Sequence, residues 1–441
     1  MISTDMNQET TIILGAGVTG LACGAATGYT IFEKNRYPGG ICSSYYMTAS
    51  GEERSAQRRT DEEDYRFEYG GGHWIFGSNA EAMKFLSAFD TFKTYNRKSS
   101  VYIRSLDASI PFPIQNNLRY LPFGLSQKIL TEILQEHDST DAGTMHEWCE
   151  LHFGRTLSEL FFHPFHNLYT SGLWKVIQPQ DGYKSPVNKE HIIEGAQSHV
   201  SSVGYNVSFV YPEHGLSALT SGMEKRCTIQ YNKEVISIDV NNRRIFFNDG
   251  SDVVYDQIIT TLPLNVMQNI TRLSTRAQQD PYTSVLVLNI GAKKGKREID
   301  DHWIYFPETT SGFHRVGFYH NVDQNFLPLS KRNGGYVSLY VEKSFRGGER
   351  LIEVEIENLT RSIISELRGL ELIGDVEICD PTWIDVAYTW SFPRSSWREE
   401  MISSLRANNI RPVGRYAAWK FQGILDSIHD GLRAGSIEGR G

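Results

Sequence analysis

The sequence predicts an α/β protein: a Rossmann-like dinucleotide-binding domain, a helical subdomain inserted into it, and a mostly antiparallel β-sheet domain. Three observations predict it. A short apolar, β-branched run, Thr11 to Leu14, leads directly into Gly15-Ala-Gly17-Val-Thr-Gly20 and a small-residue helix, with a second strand over 29–34. Helical patterns dominate 79–201, one of them ending at a capping glycine, Gly154. From Thr228 onward, strand follows strand with turn residues between them.

Length and composition set the frame. A chain of 441 residues suits two or three domains at ~150 residues each. With 40% apolar and 22% charged residues it is neither disordered nor collagen-like. Lys plus Arg is 44 against 52 Asp plus Glu, a net −8, and no basic block carries interleaved aromatics; no nucleic-acid partner is expected. Five scattered cysteines without a C-x-x-C suit reduced thiols and a cytoplasmic location. No apolar run approaches the ~20 residues of a membrane span. The polar start before Thr11 is no signal peptide, and 435–441 (GSIEGRG) reads as a protease-site scar outside the fold.

In chain order, the β-α-β unit comes first. Residues 48–68 are strongly charged and read as a solvated hairpin or mobile loop. Helices are expected over 81–92, around 125–136 and over 144–154. Asn248-Asp249-Gly250 marks a hairpin turn between alternating runs. Strands follow at 284–292, 302–307, 314–320 and 335–342. A helix over 351–368 aligns Leu351, Leu359, Ile363 and Leu367, with Gly369 to cap it. A strand near 413–418 and a helix from about Leu425 close the chain. Residues 1–78, 202–265 and 387–434 thus build the dinucleotide domain, 79–201 the helical substrate-binding subdomain, and 266–386 the sheet domain.

The chemistry is densest at the glycines. Gly15 allows the tight turn, Gly17 lets backbone N–H groups approach a pyrophosphate, and Gly20 lets the helix pack on the sheet. The helix start, with Val18 and Thr19, favours an anion. Glu33, followed by Lys34, ends the second strand, placed to accept hydrogen bonds from an adenosine ribose. Pro38-Gly39-Gly40-Ile41, Gly70-Gly71-Gly72-His73, and Gly414-Arg415 ahead of Leu425-Asp426 extend the set. A nicotinamide does not need side-chain-free backbone at all these places, whereas extended FAD does. Val235 is assigned to the same cofactor set.

The glycine fingerprint, Glu33, Pro38-Gly39-Gly40 and Gly71-Gly72-His73 resemble FAD proteins of the amine-oxidase type. Further segments resemble the UDP-galactopyranose mutases, especially their eukaryotic branch. These are Gly72 to Phe76, Pro111 to Asn117, Trp148 to Pro164, Tyr211-Pro212-x-x-Gly215, Trp303 to Glu308 with Arg315, and Gly414-Arg415 before Trp419. The similarity runs in order over about 11–432.

That resemblance implies a reduced flavin working without net redox change. Flavin N5 displaces the nucleotide from the anomeric carbon of an NDP-sugar, and the opened sugar recloses through a different hydroxyl. It implies that Arg315 and Tyr305 hold the diphosphate, that Arg415 and His73 flank the flavin, and that Gln115 and Asn116, with Trp148, line a nucleobase pocket. NAD(P)H is a candidate reductant and a homodimer a candidate assembly. The sequence departs from the family at the substrate-binding positions: His163 replaces a second diphosphate arginine, and Val322, Phe392 and Phe421 replace phosphate-gripping tyrosines. A flavin-proximal asparagine falls at Ile424 or Leu425, and a uracil-stacking aromatic at Ile114. Each lost hydroxyl removes a hydrogen bond to a charged phosphate, ~1.5–3 kcal/mol. The nucleotide can therefore be GDP- or dTDP-linked. A redox FAD oxidase or desaturase of the amine-oxidase type is the alternative, and a flavin binder without activity a third. His163 and His166 form an H-x-x-H pair, but no third ligand is evident and no metal is expected.

Overall fold

Every side chain of Thr11–Leu14 is buried, as an interior parallel strand requires. It centres a five-stranded, all-parallel sheet in the order Ile410–Pro412, Gln257–Thr260, Thr11–Leu14, Thr30–Phe32, Ile229–Gln230. The computed structural model describes residues 10–51, 53–135, 142–180, 187–198 and 207–438. The polar start, 1–9, and the end of the expected scar, 439–441, lie outside the described residues. Helix Val18–Thr27 follows the first strand and stops at Gly28 (φ +77), whose N–H donates to the Gly24 carbonyl. The last helix, Ile424–Glu438, crosses it so closely that a Cβ on Gly431 would meet the Thr19 carbonyl oxygen at 2.3 Å. That helix runs beyond Ala434 into the segment expected to lie outside the fold.

The second sheet has seven strands, in the order Ile373–Thr389, Tyr282–Lys294, Tyr336–Arg346, Arg315–Phe318, Trp303–Tyr305, Ser99–Ile103, Ala108–Pro111. All its pairings are antiparallel except Trp303–Tyr305 with Ser99–Ile103. Period-two alternation gives it two faces. One carries Leu286, Leu288, Ile290, Val316, Leu339 and Val341, covered by Ile363 and Leu367 of helix Glu353–Gly369. The other carries Val287, Asn289, Arg315, Tyr340 and Glu342 and meets the dinucleotide domain.

Several local expectations change. Ser99–Ile103 and Ala108–Pro111 belong to this sheet although they lie within the stretch read as helical. Ser99–Ile103 is buried on all five residues, which erases the alternation that would announce a strand. The helix expected over 81–92 ends at Leu86, and Phe92–Asn96 pairs with Ser208–Pro212. The last strand of the parallel sheet is Ile410–Pro412, so Arg415 sits in the turn after it.

The charged segment 48–68 is corrected most. Tyr65–Glu68 is a wholly buried strand paired with Ser44–Met47. Arg66 reaches Asp323 at 2.8 Å, and Glu68 accepts hydrogen bonds from Ser44 and Tyr211. Burial pushes the Glu68 carboxyl up to about 7, against the pull of those donors and Arg66.

The helical subdomain contains Phe123–Leu134, Met145–Leu157, His163–Tyr169 and Lys189–Gln197. Thr144 and Glu147 form a reciprocal capping box at the start of the second. Gly154, at φ +70, breaks its axis where a capping glycine is expected. The chain then passes through a wider π-helical turn, Ser158–Phe162. Asn248–Gly250 turns between Arg244–Phe247 and Asp252–Val254, with Gly250 at φ +81. Among the described residues no helix is long and apolar enough to cross a membrane, and all five cysteines are free thiols.

Candidate functional site

The first strand ends in a cradle built from backbone. Gly15 adopts φ +94, and a Cβ on Gly20 would sit 1.9 Å from the Gly15 carbonyl oxygen, so the helix–strand crossing requires both glycines. Glu33 is buried, and its oxygens accept the N–H groups of Ala16 (2.7 Å) and Asn35 (2.8 Å), which fixes the carboxylate while leaving each oxygen further acceptor capacity. Gly39 N–H donates to the Ala16 carbonyl at 2.7 Å, and Gly17 bridges Gly39. Gly17 has open space where a Cβ would be, and Gly40 only the Gly17 Cα at 3.7 Å. No side chain caps the helix that begins at Val18.

An uncapped helix start opening over a side-chain-free floor suits a pyrophosphate. Thr19, buried beneath it, lies so close to Gly414 (φ +85) that a Cβ there would meet Thr19 Oγ1 at 2.5 Å. Leu425, buried, and Asp426, which accepts Gly423 N–H, thereby come to the same helix start. Ile41 packs in the adjoining core, Val235 lies beside Phe32, and Lys34 is exposed beyond Glu33. These residues fit an FAD pyrophosphate and ribose.

The glycines at 71 and 72 pack directly against the large sheet. A Cβ on Gly72 would meet Tyr340 Oη at 2.1 Å, and one on Gly71 would meet Glu342 Oε1 at 3.1 Å. They let the loop lie on the large sheet. His73 follows, donating from Nδ1 to the Gly71 carbonyl at 3.3 Å. Burial holds its pKa down to about 4, so the ring is neutral, with Arg415, Glu342 and Arg315 all within electrostatic reach.

Register places the charged groups. Tyr305 pairs with Arg315, Arg315 with Glu342, and Glu342 with Val287, one lateral row across four strands. Their side chains therefore share the face toward His73. Arg315 donates from Nε to Glu342 Oε2 at 3.0 Å and from a terminal nitrogen to Oε1. His314 Nε2 lies 3.5 Å from the same carboxylate. In the next row Tyr340 faces Gly317, where a Cβ would fall 2.0 Å from the ring. Arg415 donates to the carbonyls of Gln422 and Ala387, and its guanidinium stands over Phe421 at 4.6 Å and Tyr388 at 5.7 Å. Tyr305, Arg315, His73 and Arg415 thus meet as the sequence suggests.

Four residues escaped the sequence reading: Glu342, Tyr340, Tyr388 and Arg97. Alternation in the strand 335–342 does put Tyr340 and Glu342 on one face, a usable signal. Arg97 carried none. It is buried, donates to the Phe112 carbonyl at 3.0 Å, lies within electrostatic reach of Tyr305, and forms no ion pair among the described residues. Burial lowers its pKa.

The helical subdomain closes this end. Phe112 and Phe165 pack on the Tyr305 ring at 4.9 and 5.3 Å, and Tyr169 on Tyr388 at 4.8 Å. Gln115 and Asn116 are buried, and both polar side-chain atoms of Asn116 lack a hydrogen-bond partner among the described residues. Trp148, half-buried, packs on Phe153. His163 points elsewhere: it stacks on His146 and Trp174, and Phe165 is the ring that reaches Tyr305 and His314. Phe392 lies in the turn after Thr389, its N–H donating to Asp280. Val322 and Ile114 are buried in apolar cores.

A family profile described as "Flavin containing amine oxidoreductase" matches residues 29–435. Among solved structures, a reduced UDP-galactopyranose mutase superposes with a TM-score of 0.82 at 21% identity, over 98% of this chain and 96% of that one. A putrescine oxidase bound to putrescine gives 0.58 at 15% identity, over 98% and 99%. A fatty acid isomerase from P. acnes, described as producing CLA, gives 0.56 at 14% identity, over 99% of both. At these identities the likeness speaks for the fold.

Proposed function

The chain belongs to the flavin containing amine oxidoreductases, and on that premise we propose that it is an FAD-dependent nucleotide-sugar mutase, interconverting pyranose and furanose forms of an NDP-hexose with no net redox change. The observation that carries this reading is Arg97. A buried guanidinium with one carbonyl partner and no acid among the described residues is poorly compensated, and an incoming diphosphate would supply the missing charge.

When bound, a reduced flavin supplies an electron pair to the sugar and recovers it. The chain's own residues do the rest. Arg97 and Arg315, either side of Tyr305 in the fold, hold the leaving nucleotide near the anomeric carbon. His73 stays uncharged beside them. Phe112, Phe165 and Tyr388 wall the site with rings that exclude water. The buried Asn116 amide, one donor and one acceptor, reads a nucleobase edge. Uracil, guanine and thymine all present such an edge.

Two observations favour a redox oxidase instead: the Arg315 charge is already matched by Glu342, and Val322, Phe392 and Phe421 lack phosphate-binding hydroxyls. Anaerobic mixing of dithionite-reduced protein with UDP-, GDP- and dTDP-hexoses separates the two. The mutase reading requires a furanose product without flavin reoxidation. Reduction of the oxidised flavin by a substrate carrying no nucleotide would establish the oxidase.

A further inference from the structure

The helical subdomain holds a side-chain cluster that neither the flavin cradle nor the Arg315 row uses. His146 and Glu150 lie one turn apart on Met145–Leu157. The axis breaks at Gly154, the chain passes through the π-helical turn 158–162, and His163 returns to the same place. His146 Nε2 is 3.8 Å from Glu150 Oε1, and His163 Nε2 is 3.7 Å from the same oxygen. One ligand atom from each residue lies within 4.8 Å of the other two. The imidazoles are stacked at 4.8 Å, and Trp174 covers both at 4.8 and 4.7 Å.

A second observation concerns His163 alone. Its Nε2 is buried and makes no hydrogen bond among the described residues. A buried ring nitrogen left unmatched costs ~1–3 kcal/mol. A metal ion would satisfy that lone pair. His166, the nearer histidine in sequence, is committed elsewhere: its Nδ1 donates to the Phe162 carbonyl at 2.7 Å. The partners of His163 thus come from the preceding helix, His146 and Glu150, and not from His166.

We propose that His146, Glu150 and His163 bind a divalent transition-metal ion, zinc in the first place, through two imidazole nitrogens and one carboxylate oxygen. Two nitrogens and one oxygen select zinc, copper or nickel over calcium and magnesium, which take oxygen ligands. Three protein ligands leave a fourth position to water. Zinc–ligand distances of ~2.0–2.2 Å require the ligand atoms to close to roughly 3.3–3.5 Å. His146 and Glu150 are half-exposed and can make that adjustment. The ion would fasten the two helical segments on either side of the Gly154 break, so its binding energy would add to native stability.

The test uses flavin-loaded protein freed of metal by dialysis against a chelator. Calorimetric titration with Zn²⁺ should show one equivalent bound, and the melting temperature should rise with zinc. Cu²⁺ placed in the site should give an electron paramagnetic resonance spectrum with nitrogen coupling from two imidazoles. Glu150→Gln and His146→Gln should each weaken zinc binding by more than about a hundredfold, beyond the loss of a mere outer partner. Their flavin absorbance and circular dichroism should match wild type; if either variant fails to fold, His163→Gln provides the same comparison. No zinc binding by folded wild-type protein, equal binding by the variants, or a copper spectrum without nitrogen coupling would overturn the assignment.

Discussion

Arg315 and Glu342 face each other in register on adjacent antiparallel strands, and the guanidinium closes two hydrogen bonds on the buried carboxylate. Burial alone would raise the Glu342 pKa, but Arg315 and His314 outweigh it and hold it at about 2. A carboxyl whose folded pKa lies below its ordinary value, 4.5, stabilises the fold fully above that value. The contribution is lost as pH falls from there toward 2. Thermal unfolding followed on acidification should show that loss. Glu342→Gln should remove this part of the pH dependence and cost about 3–5 kcal/mol at neutral pH, since it strands a buried cation.

Arg315→Met should abolish turnover while the purified protein stays yellow, because the cradle at Gly15–Gly20 and Glu33 is built from other residues. The same change strands Glu342, so stability should fall too. The double variant with Glu342→Gln should recover part of it, with a coupling of about 1–3 kcal/mol in denaturant titrations. Loss of flavin from Arg315→Met would show that the arginine supports the cofactor.

Arg97→Met should behave in the opposite sense. Arg97 is buried and forms no ion pair among the described residues, so replacing it with an apolar side chain should leave the free protein at least as stable. Nucleoside diphosphates should raise the melting temperature of wild type and not of the variant, with affinity weakened roughly tenfold to a hundredfold for a lost charged hydrogen bond. An undiminished thermal shift would place the phosphates elsewhere.

Glu33→Ala should yield protein depleted of flavin. The change orphans two backbone donors, Ala16 and Asn35, at about 1–3 kcal/mol each, and removes the carboxylate assigned to the ribose. The visible absorbance per polypeptide measures it directly. Full flavin content would leave Glu33 a purely structural residue.

What could be read from the sequence was local. Gly15, Gly17, Gly20 and Glu33 span a few turns of chain, and their spacing encodes the crossing they make. Tyr305 and Arg315 stood out through the resemblance of Trp303 to Glu308, with Arg315, to the mutases. Glu342 did not, since its place opposite Arg315 depends on the register of strands far apart in sequence. Arg66 and Glu68 looked solvated because their partners, Asp323 and Tyr211, come from remote segments. Nothing in the sequence announces the Tyr340 hydroxyl that packs above Gly72.

The seven-stranded sheet takes its strands from residues 99–111, 282–346 and 373–389, while the parallel sheet takes its own from 11–32, 229–260 and 410–412. The polypeptide weaves back and forth between the two layers. No single cut separates one sheet from the other, so the cofactor half should not be obtainable by itself.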